Sequence, residues 1–126
     1  MPGGAYVLRL GVGPGVWLAP GVYWYAGSAY GPGGLRARLG RHLRRDKAIR
    51  WHVDRLTVEP AVEVGFLAFP GAGECALVAA LLAAGATVPV PGFGSSDCRI
   101  CPSHLVCLDA SSAQMARILR AALTPP

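Results

Sequence analysis

Ala5-Tyr-Val-Leu-Arg-Leu10 is dense in β-forming side chains and reads as a strand. Val22-Tyr-Trp-Tyr-Ala26 reads as a second. Strand alternation puts Tyr23 and Tyr25 on one face and Trp24 on the other. Gly11 to Pro20 is rich in glycine and proline and predicts a loop, so the two strands form an antiparallel hairpin. Beyond a second such loop, Ser28 to Gly34, Leu35, Leu39 and Leu43 recur every fourth residue. That spacing predicts a helix over 35–45 with a buried leucine stripe. Arg38 and His42 are also four apart and share another stripe.

Ile49 to Leu56 predicts a short helix carrying Trp51, His52 and Asp54. Val62 to Phe69 predicts a third, central strand. Gly73 to Ala84 predicts an Ala/Leu helix with Glu74 in its first turn and Gly85 as its stop. Val88 to Cys101 reads as a loop, Leu105 to Leu108 as a fourth strand, and Ser111 or Ser112 as the cap of a last helix ending near Leu123. This order predicts an α+β domain: a small, mixed but largely antiparallel sheet of about three or four strands flanked by helices.

With 126 residues the chain is expected to form one domain, 1–126, able to bury a core without staples. Hydrophobic residues make up 52%, which excludes a disordered chain. No apolar run reaches the roughly 18 residues of a membrane span, and no charged-then-apolar leader opens the chain. A cytoplasmic location is the expectation.

The net charge of +5 is concentrated. Arg36, Arg38, Arg41, Arg44, Arg45, Lys47 and Arg50 face only Asp46 in that stretch. Such an excess attracts polyanions, and arginine grips phosphate with a planar fork. A solvated helix face is the competing explanation. Together with Tyr6, Tyr25 and Glu74, the basic helix supplies what phosphodiester hydrolysis needs. Arg38 can hold a nonbridging oxygen with two hydrogen bonds. Glu74 can bind one Mg²⁺ or Mn²⁺, hard cations that keep several waters. A phenol near positive charge ionises more easily and can serve as general base.

Gly4-Ala5-Tyr6, then Tyr25-Ala26-Gly27 continuing through Ser28-Ala29, then Arg38-Leu39-Gly40-Arg41-His42, then Glu74, stand in the order seen in one nuclease group. Over residues of about 4 to 85 the chain resembles the GIY-YIG nuclease superfamily. Gly31-Pro-Gly-Gly34, Trp51-His52-Val53-Asp54 and Phe93-Gly-Ser-Ser-Asp97 extend the resemblance to a small branch sometimes fused to endonuclease III-type glycosylases. The resemblance implies a metal-dependent DNA endonuclease with a tyrosine base, an arginine on the phosphate and a glutamate on a single metal. Here Tyr6 is favoured as base, Tyr25 as its partner, and His42 for proton transfer or phosphate binding. The fusions imply damaged or abasic DNA and a functional link to a base-excision glycosylase. The chain departs from the superfamily in having no asparagine; Ser96, Asp97 or His104 can stand in for the usual late one. Ser28 occupies a position where excision-repair members often carry lysine, and Ala5 is smaller than usual.

Each position has a structural alternative. Tyr6 and Tyr25 can be ordinary strand aromatics, and Glu74 an acid that suits a helix dipole. Tyr30 can touch a nucleotide or simply sit on the surface. His52 and Asp54 can line the cleft, or Asp54 can pair with an arginine. Arg36, Arg41, Arg44, Arg45 and Lys47 form the candidate nucleic-acid surface, for DNA or for RNA. A non-catalytic nucleic-acid-binding module is the alternative function. Cys98, Cys101 and His104 have zinc-like spacing, with Cys75 or Cys107 as a fourth ligand; a disulfide or plain thiols are the rivals.

Overall fold

The structure, a computed structural model, describes residues 3–31, 33–49, 53–93 and 102–123. Strands β1 (Gly4–Val12) and β2 (Gly21–Ala29) pair antiparallel along their whole length, from Gly4 opposite Ala29 to Val12 opposite Gly21. Ser28 and Ala29 therefore belong to the strand and not to the loop that their composition suggested. β3 (Val62–Pro70) lines the other side of β1, and β4 (Leu105–Cys107) lies against β2, both antiparallel. The sheet order is β3-β1-β2-β4. With helices α1 (Gly34–Leu43), α2 (Asp54–Thr57), α3 (Glu74–Ala83) and α4 (Ser112–Leu123), this is the expected α+β architecture.

β3 is an edge strand, not the central one its apolar content predicted. Phe66, Ala68 and Pro70 are exposed along it, and a proline without an N–H is tolerated at an edge. The centre is the β1–β2 pair, and strand parity sorts its side chains between two layers. Tyr6, Leu8, Leu10, Tyr23 and Tyr25 pack with Leu35 and Leu39 of α1 and Leu56 of α2. Ala5, Val7, Trp24 and Ala26 pack with Leu77 and Leu81 of α3 and Met115 and Leu119 of α4. Each fully buried leucine stabilises the fold by roughly 1.5–3 kcal/mol. Trp24 is fully buried and its indole Nε1 donates to the Leu108 carbonyl at 3.0 Å, which satisfies its one polar atom.

α1 departs from its prediction in a way that matters for the site. Leu43 is 43% exposed, whereas His42 is buried. A strict four-residue spacing drifts around a helix of about 3.6 residues per turn, so the third member of the stripe falls one residue earlier. The buried line is Leu35, Leu39 and His42. The helix ends at Leu43, where the Lys47 ammonium donates to the carbonyls of Arg41 (3.0 Å) and His42 (2.9 Å). A cation there complements both the unpaired carbonyls and the helix dipole.

The same region is tied by charge. Asp54, fully buried at the start of α2, receives both Nη1 and Nη2 of Arg41 at 2.9 Å. Lys47 Nζ stands 3.9 Å from the same carboxylate. Arg45 donates to the carbonyls of Thr57, Glu59 and Val62, joining the chain after α1 to the start of β3. Among the described residues no helix is long and apolar enough to cross a membrane.

Candidate active site

Tyr6 stands directly opposite Gly27 in the β1–β2 pair. A Cβ at Gly27 would fall on the Tyr6 hydroxyl and ring. The glycine of Tyr25-Ala26-Gly27 is thus what lets the phenol lie across β2. The Tyr6 hydroxyl meets Nε2 of His42 at 2.7 Å, and the two rings lie 5.3 Å apart. Tyr25, two residues before Gly27, presents itself edge-on to His42, with ring centroids 6.3 Å apart. Two strands and α1 therefore bring three rings together.

Arg38 lies one turn before His42 on α1. Its Nη1 donates to the Ser28 carbonyl at 3.1 Å, which fixes the guanidinium against β2. Ser28 serves through its backbone; the register pairs it with Ala5, so its side chain belongs to the other face. Glu74 stands in the first turn of α3, with its Oε2 3.7 Å from Nδ1 of His104, and its charge acts on both Tyr6 and Tyr25. His104 is buried just before β4, and its backbone carbonyl accepts from the Ala26 N–H at 2.9 Å.

Burial is the dominant electrostatic influence. It pushes the Tyr6 phenol up to about 12, although the charge and hydrogen bonding of Arg38 favour the phenolate; Glu74 and Asp54 add to the rise. Burial pushes Tyr25 further up, with the charges of Tyr6 and Glu74 in the same direction. His42 is lowered to about 4, first by burial and then by Lys47, with Asp54 opposing. At neutral pH both partners are uncharged. The phenol oxygen and Nε2 share one hydrogen bond at 2.7 Å, along which a proton can pass between the two groups. A buried ring whose Nε2 is taken by Tyr6 suits proton transfer more than phosphate binding.

The candidate nucleic-acid residues divide into two groups. Arg36 on α1 and Arg44 just past its end are exposed, and with Gly33, Ala37, Gly40 and Arg41 they line an open groove of about 590 Å³. A smaller cleft of about 200 Å³, lined by Ala29, Gly31, Gly34, Ala37, Arg38 and Arg41, continues it toward Arg38. Arg45 and Lys47 do structural work instead, holding backbone carbonyls, and Arg41, though it lines the groove, is held by Asp54. The Lys47 side chain is only 4% exposed, with its ammonium on the carbonyls of Arg41 and His42 and near Asp54. Burial also lowers its affinity for a proton, while Asp54 opposes this. Asp54 takes the arginine-pairing alternative. Tyr30 is 62% exposed, and its hydroxyl donates to the Ala72 carbonyl at 2.6 Å. Tyr23 donates to Ala19 at 2.7 Å and acts as packing.

Glu74 is the available carboxylate for a divalent cation, with its side chain 31% exposed. Among the described residues no group of three or more His, Cys, Asp or Glu is arranged to hold a metal. One hard-oxygen ligand completed by waters and substrate phosphate needs no such group, so a single Mg²⁺ or Mn²⁺ fits this donor. His52, Ser96, Asp97, Cys98 and Cys101 lie outside the described residues. His104, a candidate zinc ligand by spacing, stands against Glu74. Cys75 is half-buried in α3 beside Glu74.

Sequence reasoning gave Gly27 no steric role and left Phe93 as a motif residue. Phe93 packs edge-on against Tyr25 at 6.2 Å and is buried. The tripeptide's own glycine and the position of Phe93 at the head of its motif were the available signals. A family model described as a domain of unknown function, DUF123, matches residues 6–124. No curated protein matches the chain. No solved structure matches it either.

Proposed function

Because the chain belongs to the DUF123 family, whose function is unknown, we propose its activity from the site itself: a divalent-metal-dependent endonuclease that hydrolyses DNA phosphodiester bonds, of the GIY-YIG type. The observation that carries this reading is the meeting of Tyr6, Tyr25 and His42 beside Arg38, with the Glu74 charge felt by both phenols. These groups come from β1, β2, α1 and α3, and the polar atoms of Tyr6 and His42 meet inside an otherwise apolar layer.

In this reading a phosphate enters the cleft beside Arg38, guided by Arg36 and Arg44. Arg38 donates to a nonbridging oxygen and holds the phosphorus in place. The Tyr6 oxygen accepts a proton from the attacking water while its own proton passes to Nε2 of His42. The water oxygen bonds to phosphorus, and the bond to the leaving oxygen breaks. A phosphodiester anion beside His42 raises the basicity of that imidazole, so the relay strengthens when substrate is bound. Tyr25 keeps the His42 ring in orientation. A cation on Glu74 would supply charge neutralisation for the departing oxyanion. His104 lies beside that carboxylate.

The basic groove gives affinity along the backbone without base reading, which favours a DNA structure or lesion over a sequence. An abasic site is one candidate substrate, and RNA is the competing one. The test incubates purified protein with plasmid, an abasic duplex and matched RNA, in Mn²⁺ or Mg²⁺ and in chelator. Cleavage is expected only with metal. Tyr6→Phe, Arg38→Ala and Glu74→Ala should each lower it by roughly 100-fold or more. Retarded mobility without cleavage, retained in Glu74→Ala, would replace this reading with that of a binding module.

A further inference from the structure

Another cavity, of about 310 Å³, opens next to the candidate active site between Trp17, Arg55, Val90, Pro91, Gly92 and Phe93. Trp17 lies in the β1–β2 loop and is 51% exposed, and its ring stacks on Phe93 at 6.0 Å with 28° between planes. Phe93 in turn meets Tyr25 edge-on at 6.2 Å, and Tyr25 meets His42. A continuous file of rings therefore runs from an open indole to the hydroxyl-bearing centre. The cavity is at the small end of the roughly 300–1,000 Å³ common for ligand sites, which suits one planar heterocycle. Arg55 is exposed at its edge and adds positive charge.

We infer that this cavity holds an unstacked nucleobase of the substrate, close to the scissile phosphate. The inference rests on the nuclease reading of the neighbouring site and names its substrate class: nucleic acid with an unpaired or extruded base. Base–aromatic stacking tolerates any sequence, because every base has a π-face. A base leaves the duplex most easily where it is already unpaired, so a bulge or a single strand is the preferred partner. Trp17 keeps a face for the base while Phe93 supports it from behind. Arg55 neutralises the adjoining phosphate.

The test uses two duplexes that differ at one position, a bulged 2-aminopurine and an abasic residue in the same place. Binding is measured in chelator, so it does not depend on cleavage. The wild-type protein should quench the 2-aminopurine emission and bind the bulged duplex more tightly than the abasic one. Trp17→Ala should weaken the bulged complex by roughly 10-fold or more and leave the abasic complex unchanged, while Trp17→Phe retains most of the affinity. Unchanged emission in the wild type, or equal loss on both duplexes, overturns the pocket. If Trp17→Ala fails to fold, the wild-type emission decides alone. Cleavage in Mn²⁺ is then followed separately. Base-dependent binding without cleavage sinks the nuclease reading and spares the pocket; cleavage indifferent to Trp17 does the reverse. No binding to either duplex ends both.

Discussion

Replacing Gly27 by alanine adds one carbon where the Tyr6 phenol lies. The backbone does not object, because Gly27 is extended in β2 and absent from the positive-φ glycines. In a strand, alanine would otherwise gain roughly 0.5–1 kcal/mol over glycine. Against that gain, the new Cβ would stand 2.5 Å from Tyr6 Cζ and 2.9 Å from Cε2. Carbon atoms prefer about 3.5–4.0 Å, so the ring must move by about 1 Å. Overpacking a buried site costs about 1–3 kcal/mol, and the steric effect should win by about 1 kcal/mol. Urea midpoints around a double-mutant cycle measure this. In a Tyr6→Leu background the ring is gone, and Gly27→Ala should become neutral or stabilising. The coupling energy between the two positions is then at least about 1 kcal/mol. Cleavage by Gly27→Ala should drop on the order of 100-fold, since the displaced hydroxyl leaves its 2.7 Å contact with His42. Equal stability changes in both backgrounds would refute the placement of the phenol over Gly27, and with it the site.

Asp54→Ala should destabilise the protein by about 3–5 kcal/mol in urea denaturation, because it strands the Arg41 guanidinium and the Lys47 ammonium beside an empty buried position. Stability should fall with acidification between about pH 6.5 and 4, since the unfolded chain takes a proton that buried His42 refuses. The loss is up to about 3 kcal/mol and should shrink in His42→Gln, followed as melting temperature against pH. At the alkaline end Tyr6 acts with the opposite sign: its raised value means stability present below pH 10 and lost as pH rises toward about 12, which absorbance titration of the phenols would track. Arg44→Ala should weaken DNA binding and lower the salt slope by about one with melting unchanged. Arg45→Ala should lower the melting temperature instead, since that side chain ties Thr57 and Val62.

Local chemistry made much of this molecule legible in advance. Alternation of Tyr23, Trp24 and Tyr25 settles which side chains share a layer, because successive residues of any strand point oppositely. The leucine repeat of α1, the Ala/Leu run stopped by Gly85 for α3 and the serine cap of α4 announce these helices to within a residue or two. The same local reading made β3 central and Leu43 buried, because apolar content does not say which strand a chain will pair with, nor how a stripe drifts over three turns.

Only the assembled fold decided which basic groups are committed. Arg36 and Arg44 look the same in sequence as Arg41 and Arg45, but the latter two hold a carboxylate and backbone carbonyls from α2 and β3. Those acceptors become neighbours only when distant segments meet, and carbonyls carry no signature in the sequence. The approach of the Tyr6 hydroxyl to His42, and of Glu74 to His104, is decided the same way. Sequence determined the identity and local direction of these groups. Long-range strand pairing and helix packing determined the distances, and at a reactive site the distances carry the chemistry.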